Sequence, residues 1–211
     1  IIDLKVLYVE IDSAVYYNSS QVSNVNEVKT KVMRVLNTFS TSNINKFGGR
    51  FKYSKLGQII DGSDVSITSN ITRVIIRRNM KCLLNQSAQY ELCYGNSFKK
   101  NPNGFNIKST GFTLANQTGT LYFTDVPNET GDMGVLSVVK ESTESNEFTV
   151  IVKSAGSVDY KKGEIIINTL NVTSTVKENN IIELQAFPDS NDVIGLKDLY
   201  LSFSVSDSTI N

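Results

Sequence analysis

Acidic residues are the groups best placed to do chemistry in this chain. Asp61-Gly62-Ser63-Asp64 and Asp189-Ser190-Asn191-Asp192 each bring two carboxyls within four positions. A calcium loop needs a longer run of oxygen ligands closed by a bidentate glutamate, which neither segment supplies. Asx turns and a helix cap are the expected use of both. Gly48-Gly49-Arg50, with Lys52 and Lys55 nearby, sits at an expected helix start. Backbone amides and basic side chains there could hold an anion, although a double glycine also serves simply to turn the chain tightly. The sequence contains no histidine. A Ser-His-Asp or Cys-His arrangement therefore cannot be built from it, and the usual general base near neutral pH is missing. Two cysteines, Cys82 and Cys93, are too few for a zinc site without histidine. They are expected as reduced thiols, although a bridge between neighbouring strands is open to them.

Glycoside hydrolysis by two carboxyls needs an acid and a base across the scissile bond. Nothing selects such a pair among 21 acidic residues, and tryptophan, a common sugar platform, is absent. No phosphate loop or dinucleotide-binding turn occurs. Asn70-Ile71-Thr72, Asn116-Gln117-Thr118 and Asn171-Val172-Thr173 fit the glycosylation triplet, but chance produces such triplets readily where Asn, Ser and Thr are abundant. The expectation is no catalytic residue, no cofactor-binding residue and no metal ligand, with the partner-binding residues unassigned. The protein is expected not to be an enzyme.

The elements that would position these groups follow from periodicity. Ile2–Tyr17 alternates apolar residues on both faces, as a central strand does. Its extended length of roughly 50 Å exceeds an ordinary strand, so a bulge or break is expected near Asp12-Ser13. From Asn24 to Phe39, Val25, Val28, Val32, Val35, Leu36 and Phe39 form one helical stripe, with Asn24 as cap and Glu27 in the capping-box position. Lys29, Lys31 and Arg34 fall off that stripe as a solvated basic face. Phe51, Leu56, Ile59 and Ile60 mark a shorter helix ending near Gly62. Ile71–Leu84 returns to strand, with Arg78 interrupting its inner row and Gln89–Tyr94 expected to fold back as its hairpin partner.

Beyond Gly95, short β-rich runs alternate with turn clusters such as Asn101-Pro102-Asn103-Gly104, Val126-Pro127-Asn128 and Ser154-Ala155-Gly156. The runs are Gly111–Leu114, Thr120–Thr124, Gly134–Val139, Phe148–Lys153, Glu164–Asn168, Ile181–Phe187 and Leu199–Val205. The fold class is α+β: mostly antiparallel β, two helices near the N-terminus and a small all-β subdomain in the middle. Residues 1–96 form the α+β domain, its sheet completed by about 158–211, and 97–157 an inserted β subdomain. At 211 residues, 40% hydrophobic and 20% charged, the chain can support its own core. Basic and acidic residues balance at 21 each, so no global field draws it to nucleic acid or a membrane. No apolar run approaches the ~20 residues of a membrane span. The start at Ile1 shows no leader pattern and falls inside a strand, as expected of a fragment of a longer protein.

Several stretches, in order, carry a resemblance. They are Phe47-Gly48-Gly49-Arg50-Phe51-Lys52-Tyr53-Ser54-Lys55, Ile60-Asp61, Ser69-Asn70-Ile71-Thr72, Arg77-Arg78-Asn79-Met80, Ser109-Thr110-Gly111-Phe112, Val158-Asp159-Tyr160-Lys161-Lys162-Gly163-Glu164-Ile165 and Pro188-Asp189-Ser190-Asn191-Asp192-Val193. Together they resemble the large, J-like wedge subunit of the baseplate in T-even-type contractile-tailed phages. The resemblance implies the C-terminal part of a non-enzymatic virion protein, assembled in the host cytoplasm into the tail baseplate. It implies a homodimer that binds other wedge subunits and joins wedges into a ring around the hub. The alternative is an extracellular adhesin or carbohydrate-binding β module.

Overall fold

The computed structural model describes residues 4–142 and 147–211, so the first positions of the expected Ile2–Tyr17 strand lie outside the described residues. In chain order the elements are β1 (Val6–Tyr17), α1 (Val25–Phe39), β2 (Lys46–Phe47), β3 (Arg50–Phe51), α2 (Tyr53–Asp61), β4 (Ile67–Lys81), β5 (Ser87–Cys93), β6 (Lys108–Ser109), β7 (Phe112–Leu114), β8 (Leu121–Pro127), β9 (Met133–Glu141), β10 (Phe148–Asp159), β11 (Glu164–Thr175), β12 (Ile181–Ala186), β13 (Val193–Ile194), β14 (Tyr200–Phe203) and β15 (Thr209–Ile210). The fold is α+β, mostly strand, with both helices near the N-terminus. Two compact units divide the chain: residues up to Ile76 with Asn191–Asn211, and Arg77–Ser190.

In the first unit β1 lies between β14 and β4, burying Leu7, Val9 and Ile11. The break expected at Asp12-Ser13 does not occur. The strand instead changes neighbour, pairing parallel with β14 at Val6–Val9 and with β15 at Asp12-Ser13. Ser208 Oγ accepts the Ile11 amide between them (3.0 Å). Two successive partners thus use the length that one ordinary strand would not. Helix α1 buries Val28, Val32, Leu36 and Phe39, a stripe at steps of three and four. The Asn24 side chain accepts from the Asn26 amide (3.0 Å), filling an end group the helix leaves open. Val25 is half-exposed, so the stripe is narrower than its sequence spacing implies. Phe203 meets Phe39 and Phe51 edge-on, with ring centroids 6.4 and 5.4 Å away.

In the second unit β5 does not form a hairpin with β4. It pairs antiparallel with β11, from Ser87 opposite Asn171 to Cys93 opposite Glu164. Asn85, at φ +57°, donates its amide to Val172 O (2.8 Å) and sends the chain that way. There Leu92 meets Ile165, and both are buried. Cys82 is buried, Cys93 is exposed, and both are free thiols. Arg78 does not lead the strand out of the core either. Arg77 and Arg78 are both buried; Arg77 pairs with Glu183 (2.7 Å) and Arg78 donates to Cys93 O (2.6 Å). A buried guanidinium is tolerable when partnered in this way.

The pairings β7–β8–β9–β10–β11 return from β11 to β7, closing a ring of five antiparallel strands into a small barrel. Its interior holds Phe112, Leu121, Phe123, Leu136, Val138 and Val158, with Phe112 and Phe123 stacked at 4.5 Å. Gly156 lets β10 approach β11, because a Cβ there would fall on Ile166 O. Toward its start β10 carries irregular register between Val150 and Val152 and again between Val152 and Gly156.

Candidate functional site

The groups singled out from sequence fold into structural roles. The start of α2, where an anion could sit beside Gly48-Gly49-Arg50, already holds a carboxyl of the chain: Asp192 Oδ1 accepts the Tyr53 amide at 2.8 Å. Asp61 accepts from Asn70 Nδ2 (2.7 Å), occupying the amide of one glycosylation triplet. Asp64 closes an Asx turn by accepting the Ser66 amide (2.9 Å) and receives Lys31 Nζ at 2.6 Å. That ammonium, helped by the Ser66 donors, holds the Asp64 carboxyl well below the usual carboxylate range. Lys31 stays on the exposed face expected of it and makes this ion pair there. Asp189 donates its amide to Ser97 O (2.8 Å). Among the described residues no cluster of His, Cys, Asp or Glu could hold a metal ion, and no helix is long and apolar enough to cross a membrane.

One group missed in the sequence is Asp125 on β8, which is completely buried. Its side chain accepts from Tyr160 Oη (2.5 Å) and from the Ile107 amide (2.6 Å). Burial first, then the bond to Asp125, raises the Tyr160 phenol far above its usual pKa, which keeps it a donor. The Asp125 backbone carbonyl accepts the Phe105 amide (3.0 Å). Asp125 thus clamps the 101–107 loop from two sides.

The loop is wired throughout. Asn101 accepts the Gly104 amide (2.8 Å) and donates its side-chain amide to Gly104 O (2.6 Å). Asn106 donates to Lys99 O (2.6 Å) and accepts from the Phe187 amide (2.8 Å). Gly104, at φ +76°, lies so close to Asp125 O that a Cβ would collide with it. This wiring holds Phe105 at φ +63°, a conformation that a bulky side chain adopts rarely and at a cost of about 1–2 kcal/mol.

The ring so placed is half-exposed and faces Phe148 of β10, centroids 6.2 Å apart. Between the loop and the outer face of β8 and β9 lies a cavity of about 450 Å³. Its walls include Phe105, Tyr122, Val139 and Phe148, with Lys108 and Glu141 also present. Thr124 lines it too, and its buried hydroxyl has no hydrogen-bond partner. Val139 is paired across β9 with Tyr122 on one side and Val150 on the other. Val126 and Val135, also paired and exposed, extend this apolar face. The arrangement is mainly aromatic and aliphatic, with a few polar groups between the apolar side chains. Its chemistry is that of a surface which excludes water from an apolar partner.

The sequence offered one sign of this surface. Phe148-Thr149-Val150-Ile151-Val152 is an uncharged, strongly β-forming run, and all five residues are exposed or half-exposed. The turn Asn101-Pro102-Asn103-Gly104 was legible, but nothing in its composition marks the next residue as a presented aromatic.

No curated protein matches the chain. Residues 5–79, just over a third of its length, match the family described as baseplate structural protein gp6, C-terminal domain III. That stretch covers β1, α1, α2 and most of β4. The matched family is a structural one, and the similarity over residues 5–79 supports a structural role in the baseplate of a phage virion.

Proposed function

We propose that this chain is a structural component of a contractile-tail baseplate that joins wedges into a ring around the hub. It does so as a homodimer that also binds other wedge subunits, after assembly in the host cytoplasm. The match of residues 5–79 to a baseplate domain carries the reading. The absence of histidine agrees with it, because a load-transmitting part needs no proton shuttle. So does the use of Asp61, Asp64, Asp125 and Asp192 in turns, caps and loop clamps.

Lasting ring contacts bury on the order of 2,000 Å² or more, which sets a clear expectation for solution behaviour. Light scattering after size exclusion should find the full chain dimeric at high concentration. Co-expression with the other wedge proteins of the same phage should yield a complex that survives purification. A chain that remains monomeric throughout and binds no wedge protein refutes the assignment.

A further inference from the structure

We propose that a trough along α1 is a docking site for an acidic amphipathic helix of another protein. Apolar side chains of that helix would cover Val35 and Ile59, and its carboxylates would meet Arg34 and Lys55. The inference goes beyond the baseplate role and holds or fails apart from it.

The shape of the trough is the first observation. Two cavities, of about 460 and 340 Å³, share Arg34 as a wall. The larger lies between α1 and α2, with Val35 and Phe39 from one helix and Lys55 and Ile59 from the other. The smaller continues past Arg34 toward the start of α1, beside Thr30 and Glu27. Glu27, Thr30, Arg34 and Thr38 recur at steps of three and four, so they form one line down the helix. At 1.5 Å per residue that line is about 16 Å long, or three turns of a helix laid beside it.

The floor is the second. Val35 and Ile59 belong to the apolar stripes of their helices, yet both are only half-buried. Apolar side chains gain by covering them, whereas a phosphate backbone does not. Both long walls are helices, whose backbone groups bond within themselves, so an extended segment finds no edge to pair with.

Charge is the third. Carboxyls around α2 are already engaged: Asp61 by Asn70, Asp64 by Lys31 and Asp192 by the Tyr53 amide. Among the described residues no ion pair engages Arg34 or Lys55, and the walls of the larger cavity hold these two cations and no carboxyl. Glu27 stands about two turns away, at the far end of the trough. An apolar floor between cations is complementary to an apolar stripe flanked by carboxylates. A second copy of this chain fits poorly, because the exposed faces of its own two helices carry Lys29, Arg34 and Lys55.

The test uses the full chain, isotopically labelled and titrated by NMR with three synthetic helical peptides. The first has leucines at steps of three and four flanked by glutamates. The second replaces every glutamate with lysine, and the third replaces every leucine with serine. Saturable shifts should appear with the first alone and concentrate on residues 27–38 and 55–62. Added salt should weaken that binding. Charge reversal of both rim cations, Arg34→Glu with Lys55→Glu, should weaken the acidic peptide about tenfold and let the lysine peptide bind in its place. Both positions are exposed, so circular dichroism should show the fold unchanged.

Equal binding of the acidic and lysine peptides, no saturation at millimolar acidic peptide, or indifference to the double charge reversal would each overturn the proposal. Loss of leucine without effect would do the same, since the floor would then be idle. If these residues shift with protein concentration alone, a second copy holds the trough and the proposal fails. Tighter binding of a short DNA duplex than of the acidic peptide would make this a phosphate-binding face, with the same result.

Discussion

Removing the Asp125 side chain tests whether one buried carboxyl holds the interaction loop in place. In Asp125→Ala the Tyr160 hydroxyl and the Ile107 amide lose their acceptor in a region closed to water. Each stranded donor costs about 1–3 kcal/mol, giving a total of about 3–5 kcal/mol with the small void left behind. Asp125→Asn keeps the shape and one carbonyl acceptor, so about 1–2 kcal/mol is expected. Because the chain has no tryptophan, urea unfolding is best followed by circular dichroism and tyrosine fluorescence. Tyr160→Phe completes a double-mutant cycle, whose coupling should reach about 1 kcal/mol or more for a direct bond. A loss under about 1 kcal/mol for Asp125→Ala, or a cycle with no coupling, would refute the clamp.

Other consequences can be checked in the same preparation. Asp192→Ala leaves the Tyr53 amide at the start of α2 without its acceptor, and should lower stability by about 1 kcal/mol in urea and speed amide exchange in the first turn of that helix. The Asp64 carboxyl titrates below its ordinary value of 3.8. Its contribution is therefore present above about pH 4 and is lost as pH falls through the lower folded value. The melting temperatures of the native chain and Asp64→Asn should differ at pH 6 and converge in acid; a gap that persists unchanged at low pH would contradict the Lys31 pairing. Burial raises the Cys82 thiol to about 11, whereas Cys93 is exposed. Maleimide at pH 7 should add once to the folded chain and twice after unfolding, as read by intact mass.

Local patterns of side-chain placement were legible from sequence; distant partnerships were not. The stripe from Val28 to Phe39 and the Asn24 cap fixed α1 within a residue. Val, Ile and Thr runs located β7 to β12 and β14, because alternation acts over a few positions, but Ser154-Ala155-Gly156, expected as a turn cluster, lies within β10. By contrast, the parallel neighbours of β1 lie at Tyr200–Phe203 and Thr209–Ile210, and nothing in β1 itself specifies them. The partner of β5 was misread for the same reason, since a nearby hairpin is the default until a turn such as Asn85 directs the chain elsewhere. Arg78 was misjudged and Asp125 passed over because charge normally marks the surface. Both are buried with partners, Cys93 O for one and Tyr160 with Ile107 for the other, that only the fold brings near.

Phe105 separates what stabilises the fold from what the surface is for. A bulky residue at φ +63° is strained, and here several hydrogen bonds of the 101–107 loop impose that conformation. Glycine would relieve the strain by about 1 kcal/mol. Against this, Phe105→Gly loses one ring contact with Phe148 on a half-exposed side chain, a loss of similar size. The two nearly cancel, so stability in urea should change by less than about 1 kcal/mol. Were the ring instead part of the core, its removal would cost about 3 kcal/mol or more. A loss of that size would show that the loop is clamped to complete the interior, and that Phe105 is not held out for a partner.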